Sequence, residues 1–151
     1  MKHSITLAEA PTISREQIIQ AARVYLGTPY HHIGRVRGVG IDCIGLLTGV
    51  ADDLDQPYID LSHYSRSSNG QVILEELGKS LVRIEEKEAT IGDVLVFWVG
   101  KPELPRHAAI ITPLGIIHTH ITSTHGVVEH GMSPAWSKRI CAAFRYPGVR
   151  D

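Results

Sequence analysis

The hydrophobic pattern of this 151-residue chain changes its period once, near Leu81, and that change limits the folds that the chain can adopt. Before Leu81 the apolar residues recur at helical spacing, and after it they fall into short β-branched runs separated by Gly, Pro or charged residues. A chain with helices first and strands second favours an α+β fold with an antiparallel sheet. With 43 % hydrophobic residues, the chain has enough apolar surface for one domain over residues 1–151, built on one core.

Three helices are predicted before the change of period. Ser14 followed by Gln17 forms a capping-box pattern, and Asp42 is a good N-cap for a second helix. The predicted helices run from Ser14 to a stop at Gly27, from about Cys43 to Leu54, and near Gln71–Leu77, with a loop over residues 55–69 before the third.

Six strands are predicted after the change of period near Leu81. They cover Leu81–Ile84, Val94–Trp98, Ala108–Ile111, Gly115–Ile117, Gly126–Glu129 and Ile140–Arg145. The turn Pro113–Gly115 joins two of these strands as an antiparallel hairpin, which places their outer ends side by side.

Cys43 is the candidate nucleophile because of where it stands. It follows a glycine-bearing loop and the cap residue Asp42, in the first turn of an apolar helix. Free backbone N–H groups and the helix dipole favour negative charge there, so we expect the pKa of the thiol to be lowered. Gly45 is a poor helix former, which predicts that another segment packs closely against the helix start. Cys141, inside an apolar strand, is interpreted as a core residue.

Two histidines stand at the outer ends of the predicted hairpin. His107 opens one strand and His118 ends the next, eleven positions on. One imidazole can take the proton of the thiol while the other fixes its tautomer. His120 points to the same face as His118, so spacing alone leaves both open as the orienting residue.

Five stretches of the chain follow one another in a specific order and spacing, namely Leu26–Tyr30, Gly40–Leu46, Ile91–Phe97, His107–Ile111 and Gly115–His118. Together they resemble the NlpC-type family of cell-wall cysteine peptidases, over roughly Ser14 to Ile121. The resemblance implies a papain-like fold, with N-terminal helices packed on a C-terminal antiparallel sheet. It also implies that Cys43 is the nucleophile, His107 the base and His118 the third, orienting member.

The same resemblance assigns two further residues. Tyr30 would help the Cys43 backbone N–H to hold the oxyanion, and Asp42 would face the substrate and meet its free amine. It implies no metal and no cofactor. Ile44 departs from the family pattern, which has Ser after the nucleophile, so the usual contact of that hydroxyl with the peptide is lost.

The activity implied is hydrolysis of peptidoglycan stem peptides, at the amide between D-γ-glutamate and a diamino acid. The ending of the chain, Gly126–His130 with Trp136 and Ala142–Arg145, looks like the branch of the family found in phage tails and gene-transfer particles. Other phage tail proteins are therefore expected partners, besides the stem peptides.

Charge and hydropathy exclude other partners. A formal net charge of −1 with scattered Lys and Arg gives no electrostatic case for nucleic acid. No segment approaches the roughly 20 apolar residues that cross a bilayer, and the N-terminus lacks the apolar run of a secretory signal. We therefore expect synthesis in the cytoplasm and delivery to the cell wall as part of a tail or similar particle.

Two alternatives remain at this stage. Nine histidines, among them His31-His32 and His118-Thr119-His120, suggest a zinc-binding protein, although no His-Glu-x-x-His or paired Cys-x-x-Cys spacing is present. A structural tail component with an inert cleft is the other alternative.

Overall fold

The computed structural model of the chain describes residues 5–58, 71–120 and 125–151. Its helices are α1 (Arg15–Arg23), α2 (Cys43–Asp53), α3 (Gln71–Ser80) and the short α4 (Pro134–Ser137), with single 3₁₀ turns at Leu7–Glu9 and Glu86–Glu88. Its strands are β1 (Arg35–Val36), β2 (Gly40–Ile41), β3 (Val82–Ile84), β4 (Val94–Trp98), β5 (Pro105–Thr112), β6 (Gly115–His118), β7 (Val128–His130) and β8 (Ile140–Arg145).

The N-terminal cap predicted for the first helix is present in the structure. Gln17 N–H donates to Ser14 Oγ over 3.1 Å, and Ser14 N–H donates to Gln17 Oε1 over 2.8 Å, which closes the capping box of α1. The helix ends at Arg23, four residues before Gly27, whose φ of +84° lies in the left-handed region. The predicted loop at 55–69 falls largely outside the described residues.

Strands β3 to β8 form one antiparallel sheet in the order β3-β8-β4-β5-β6-β7, which confirms the predicted α+β architecture. The last strand, β8, lies between β3 and β4, so the end of the chain is built into the sheet. In the β5–β6 hairpin Thr112 pairs with Gly115. The connection is therefore Pro113-Leu114 alone, and Gly115 begins β6 instead of closing the turn.

Both faces of the sheet are covered. Helices α1, α2 and α3 pack on one face, where Val94 and Val96 of β4 join the main core. Leu95 and Phe97 alternate to the other face, where they pack in a smaller cluster with Ala109 and Trp136. α1 and α2 both contact β5, an inner strand, so these helices pack over the middle of the sheet.

Besides the 3₁₀ turns, the sequence analysis misses a two-stranded ribbon and the short helix α4. Arg35–Val36 pairs with Gly40–Ile41 as a two-stranded ribbon directly before α2, in a stretch whose glycines indicate only a loop. The single turn α4 begins after Ser133, whose Oγ accepts from Trp136 N–H. Both elements are too short for a periodic signal. Among the described residues, no helix is long and apolar enough to span a membrane.

Asp93 ties the N-terminal helix to the sheet. Its carboxylate is fully buried and pairs with Arg15 of α1 at 3.1 Å and with Arg145 of β8 at 2.9 Å. It also accepts from Thr90 N–H over 3.0 Å, a hydrogen bond typical of an aspartate in a turn. Because both cations reach one carboxylate, helix and sheet are held in a fixed relation.

Gly45 shows how tightly the start of α2 is packed, as the sequence predicts. A Cβ at this position would meet the Gly34 carbonyl oxygen and lie 2.6 Å from Ile41 Cγ1. Gly45→Ala should therefore lower the free energy of unfolding by about 1–3 kcal/mol, because the backbone of the preceding loop must move.

The matched control is Gly78→Ala in α3, where a Cβ meets no atom within 4 Å. That substitution should stabilise the protein by about 0.5–1 kcal/mol, as expected for an exposed helical glycine. Urea unfolding of the two variants measures both values. Equal effects of the same sign would show that Gly45 is not held by close packing.

Candidate active site

The candidate nucleophile Cys43 is the first residue of α2, and Asp42 is the N-cap. Asp42 has extended backbone angles (φ −108°, ψ −174°), and its Oδ1 accepts from Gly45 N–H over 2.9 Å. This is the cap that the sequence predicts, and it sets the position of Cys43 in the first turn.

The Asp42 carboxylate also fixes the loop before α2. Oδ2 accepts from Ile33 N–H over 2.8 Å, and Oδ1 pairs with the Arg35 guanidinium over 2.9 Å. Ile33 has a φ of +59°, a rare conformation for a β-branched residue, and the hydrogen bond helps to hold it there. Asp42 is only 3 % exposed. The carboxylate expected to meet a substrate amine is thus already shared among donors of the protein.

The Cys43 thiol rests against the backbone of β5. Its S–H donates to the Arg106 carbonyl over 4.0 Å, and the N–H groups of Ala108 and Ile44 point toward the sulfur. Residues 106 and 108 flank His107, so the thiol lies beside the strand position that carries the candidate base. In the described residues the thiol bonds to backbone, not to an imidazole; catalytic hydrogen bonds often tighten only with substrate bound.

The expected lowering of the Cys43 pKa is wrong. Burial, together with the adjacent Asp42 carboxylate, raises the pKa of the thiol to about 12, although the Ala108 and Ile44 N–H groups act in the opposite direction. Desolvation of the thiolate outweighs the favourable field of the helix start. The resting thiol is therefore protonated near neutral pH.

His107 and His118 are brought together as predicted. His107 Nε2 lies 2.7 Å from His118 Nδ1, and both residues are almost fully buried, at 3 % and 4 % exposed. Continuing the β5–β6 register places His118 opposite Ala109, diagonal to His107 on the same face. The His120 ring lies edge-on to His107, with centroids 4.9 Å apart. The ring hydrogen bond therefore joins His107 to His118, and the orienting role of His118 or His120 stays a prediction.

A third ring continues this pair. His118 Nε2 lies 2.7 Å from His130 Nε2, and His130 Nδ1 lies 2.8 Å from the Gly131 carbonyl oxygen. The sequence does not predict this contact, because it depends on the register in which β7 pairs with β6.

Trp136 packs against the same histidines. Its ring centroid lies 5.1 Å from that of His107 and 5.3 Å from that of His118. Burial lowers the pKa of His107 well below 6.5 and that of His118 to about 4, and in each case the neighbouring histidines act in the same direction. Both rings are therefore neutral near pH 7.

Tyr30 lies next to the strand that leads into Cys43. It forms an isolated bridge with Ile41, and Ile41 N–H donates to the Pro29 carbonyl over 2.9 Å. The backbone of Tyr30 is thus fixed close to the start of α2, and its role at the oxyanion stays a prediction. Ile44, the departure from the family pattern, is 2 % exposed and belongs to the main core.

Within residues 5–58, 71–120 and 125–151, no group of three or more His, Cys, Asp or Glu side chains is arranged to hold a metal ion.

The buried histidines predict how stability depends on pH. The folded-state pKa values of His107, His118 and His120 lie below the ordinary 6.5, so the unfolded chain binds more protons below that pH. The free energy of unfolding should be highest above pH 6.5 and fall as the pH drops toward 4. His118→Gln should reduce the slope by up to about 1.4 kcal/mol per pH unit.

Urea unfolding at intervals between pH 7.5 and 4.5 measures these slopes. The control His31→Gln removes an exposed histidine outside the cluster and should keep the wild-type slope. A wild-type stability that does not change over this range would contradict the neutral, buried state of these rings.

Comparison with solved structures identifies the fold. An NlpC/P60 family protein from Bacillus cereus superposes on 93 % of this chain, with a TM-score of 0.68 and 20 % identity. An NLP/P60 family protein similar to a lipoprotein, from Staphylococcus aureus, superposes on 95 % of it, with a TM-score of 0.63 and 21 % identity. This chain spans only 42 % and 45 % of those two chains.

A third structure is itself covered nearly end to end by this chain. The NlpC/p60 domain of the peptidoglycan hydrolase SagA is covered to 98 %, by 87 % of this chain, with a TM-score of 0.58 and 23 % identity. No family model matches the sequence, and no curated protein matches it. The similarity lies in the arrangement of helices and sheet, and it confirms the predicted fold: the chain has the papain-like α+β fold of the NlpC/P60 proteins.

Proposed function

We propose that this chain is a cysteine peptidase that hydrolyses the stem peptides of bacterial peptidoglycan. Cys43 is the nucleophile, His107 the general base and His118 the residue that orients it. The observation that carries the proposal is the 2.7 Å hydrogen bond between two buried imidazoles on β5 and β6, beside the strand segment that the Cys43 thiol contacts. A buried histidine pair next to a cysteine at a helix start is the arrangement that nucleophilic catalysis requires.

The protonation states define the first step. Because the thiol and the imidazole are both neutral at rest, His107 takes the thiol proton as the sulfur attacks the peptide carbonyl carbon. His107 Nε2 is engaged by His118, which leaves Nδ1 to accept that proton. The tetrahedral oxyanion is assigned to the Cys43 backbone N–H and the Tyr30 hydroxyl.

The remaining steps return the enzyme to its starting state. The tetrahedral intermediate collapses, the C–N bond breaks, and the leaving amine takes the proton from His107. A water molecule, deprotonated by His107, then attacks the thioester, and the Cys43 thiolate leaves and recovers its proton. The products are a carboxylate and an amine, and the sulfur is neither oxidised nor reduced.

The proposed scissile bond joins D-γ-glutamate to a diamino acid, usually meso-diaminopimelate. Support comes from the motif resemblance and from the shared fold with the domain of a peptidoglycan hydrolase, SagA. We further propose that the enzyme reaches the wall within a phage tail or similar particle, with tail proteins as partners. That delivery rests on the pattern of the C-terminal segment, Gly126–His130 with Trp136 and Ala142–Arg145.

Substitution of the nucleophile and base tests the proposal. With purified sacculi and free stem peptides as substrates, Cys43→Ala should abolish release of new termini, as identified by mass spectrometry. His107→Ala should lower kcat by about 10²–10⁴-fold, the usual contribution of general acid–base catalysis. Cys141→Ala is the matched control, because its thiol bonds to the Val96 carbonyl on β4 and should be dispensable.

Two treatments of the wild-type protein separate the alternatives. Iodoacetamide should block hydrolysis with modification at Cys43, slowly near neutral pH because the resting thiol is protonated and faster as the pH rises. A chelator should leave the rate unchanged. Loss of activity on chelation would favour a zinc protein. No turnover of any muropeptide by the folded wild type would favour an inert tail component and overturn the proposal.

Asp42 is the residue proposed to receive the free amine of the substrate. An arriving ammonium must share the carboxylate with Arg35, which lies 2.9 Å from Oδ1. Asp42→Asn keeps a capping side chain and removes the charge, so it should raise KM about tenfold for stems with a free N-terminal L-Ala. N-acetylated stems are the control and should bind the variant and the wild type equally. The same loss on both substrates would assign Asp42 to capping alone.

A further inference from the structure

The histidine pair of the proposed active site extends into a chain of three rings that ends on the backbone. His107 bonds to His118 over 2.7 Å, His118 to His130 over 2.7 Å, and His130 Nδ1 to the Gly131 carbonyl over 2.8 Å. His130 is the last residue of β7 and pairs with Ile116 of β6. Neither the sequence motifs nor the proposed triad assigns it a role.

The Gly131 carbonyl at the end of the histidine chain determines which ring nitrogen donates in each of its hydrogen bonds. A carbonyl oxygen only accepts, so His130 Nδ1 carries the hydrogen. In a neutral ring the other nitrogen, Nε2, is then an acceptor, and the hydrogen between His130 and His118 belongs to His118 Nε2. By the same rule His118 Nδ1 accepts, and the hydrogen between His118 and His107 belongs to His107 Nε2.

This direction leaves His107 Nδ1 with a free lone pair. We propose that His130 is a positioning residue that fixes the reactive tautomer of His107 through His118. The inference rests on the proposed function, since it concerns the base of that same reaction. If the hydrogen bonds of the histidine chain ran in the opposite direction, Nδ1 of His107 would carry a hydrogen. It would then be unable to take the proton of Cys43.

Two features of the structure keep the chain in place. Burial disfavours the charged forms of His107 and His118, so the alternating donor and acceptor pattern of neutral rings applies to them. β7 is attached to α1 by a bidentate ion pair, in which Arg23 Nε and Nη2 reach the two carboxylate oxygens of Glu129 over 2.9 and 3.0 Å. This pair holds the residue next to His130 and therefore fixes the end of the histidine chain.

Two substitutions at position 130 separate positioning from packing. His130→Phe keeps a ring but removes the acceptor for His118 Nε2–H, so His118 can adopt the other tautomer. We expect kcat on a stem peptide to fall about tenfold with KM unchanged, since one hydrogen bond is lost at the base and none at the substrate. His130→Gln supplies an amide oxygen as acceptor and should keep kcat within about threefold of wild type.

Nitrogen-15 NMR of histidine-labelled protein near pH 7.5 reads the tautomers directly. In the wild type, His107 and His118 should both carry hydrogen on Nε2, and His130 on Nδ1. In His130→Phe the signals of His118 and His107 should show a fraction with hydrogen on Nδ1.

The outcomes distinguish this inference from the proposed function. A wild type with hydrogen on Nδ1 of His107, or a His130→Phe variant with unchanged kcat and tautomers, would overturn the positioning role. A wild type that shows the predicted tautomers but no turnover would leave the chain direction standing and overturn the proposed function instead.

Discussion

The carboxylate of Asp42 accepts hydrogen bonds from the Gly45 N–H, the Ile33 N–H and the Arg35 guanidinium, and the geometry around Cys43 depends on it. The first bond caps α2 directly before Cys43, and the other two hold the loop that passes across the helix start. The close approach of Gly34 to Gly45 follows from this clamp. One buried anion thus determines both where the thiol lies and what surrounds it.

The resting site does not hold a thiolate–imidazolium ion pair between Cys43 and the histidines. Burial raises the pKa of the Cys43 thiol and lowers those of the histidines, so the same cause keeps both partners neutral. Such a site avoids the cost of holding unpaired charges in a desolvated place. In the proposed reaction, charge would develop only as the thiol attacks, beside the hydrogen-bonded histidines and the backbone N–H groups.

The sequence predicts most of the fold because its signals are local. The capping box at Ser14, the Asp42 cap and the short apolar runs of β4 and β8 each depend on a few neighbouring residues. The hairpin likewise brings His107 and His118 together through its own register.

What the sequence misses depends on distant parts of the chain. The field of a helix start is readable from Asp42 and Cys43, but the desolvation that reverses the pKa shift requires the packing of α2 against β5. His130 lies beside His118 only through the β6–β7 register, and residues 121–124 between these strands lie outside the described part of the chain. The contact of the Trp136 ring with the histidines depends on α4, a single turn without a periodic pattern.

The central claim is that Cys43 forms a covalent bond with the substrate, and trapping that intermediate tests it most directly. Acid quenching during turnover of an L-alanyl-D-γ-glutamyl-diaminopimelate peptide, followed by intact-protein and peptide mass spectrometry, should reveal an alanyl-glutamyl thioester. The account predicts the added mass of this acyl group on the peptide that contains Cys43, and none on the peptide that contains Cys141. Turnover without any adduct at Cys43, or with an adduct on another residue, would contradict it.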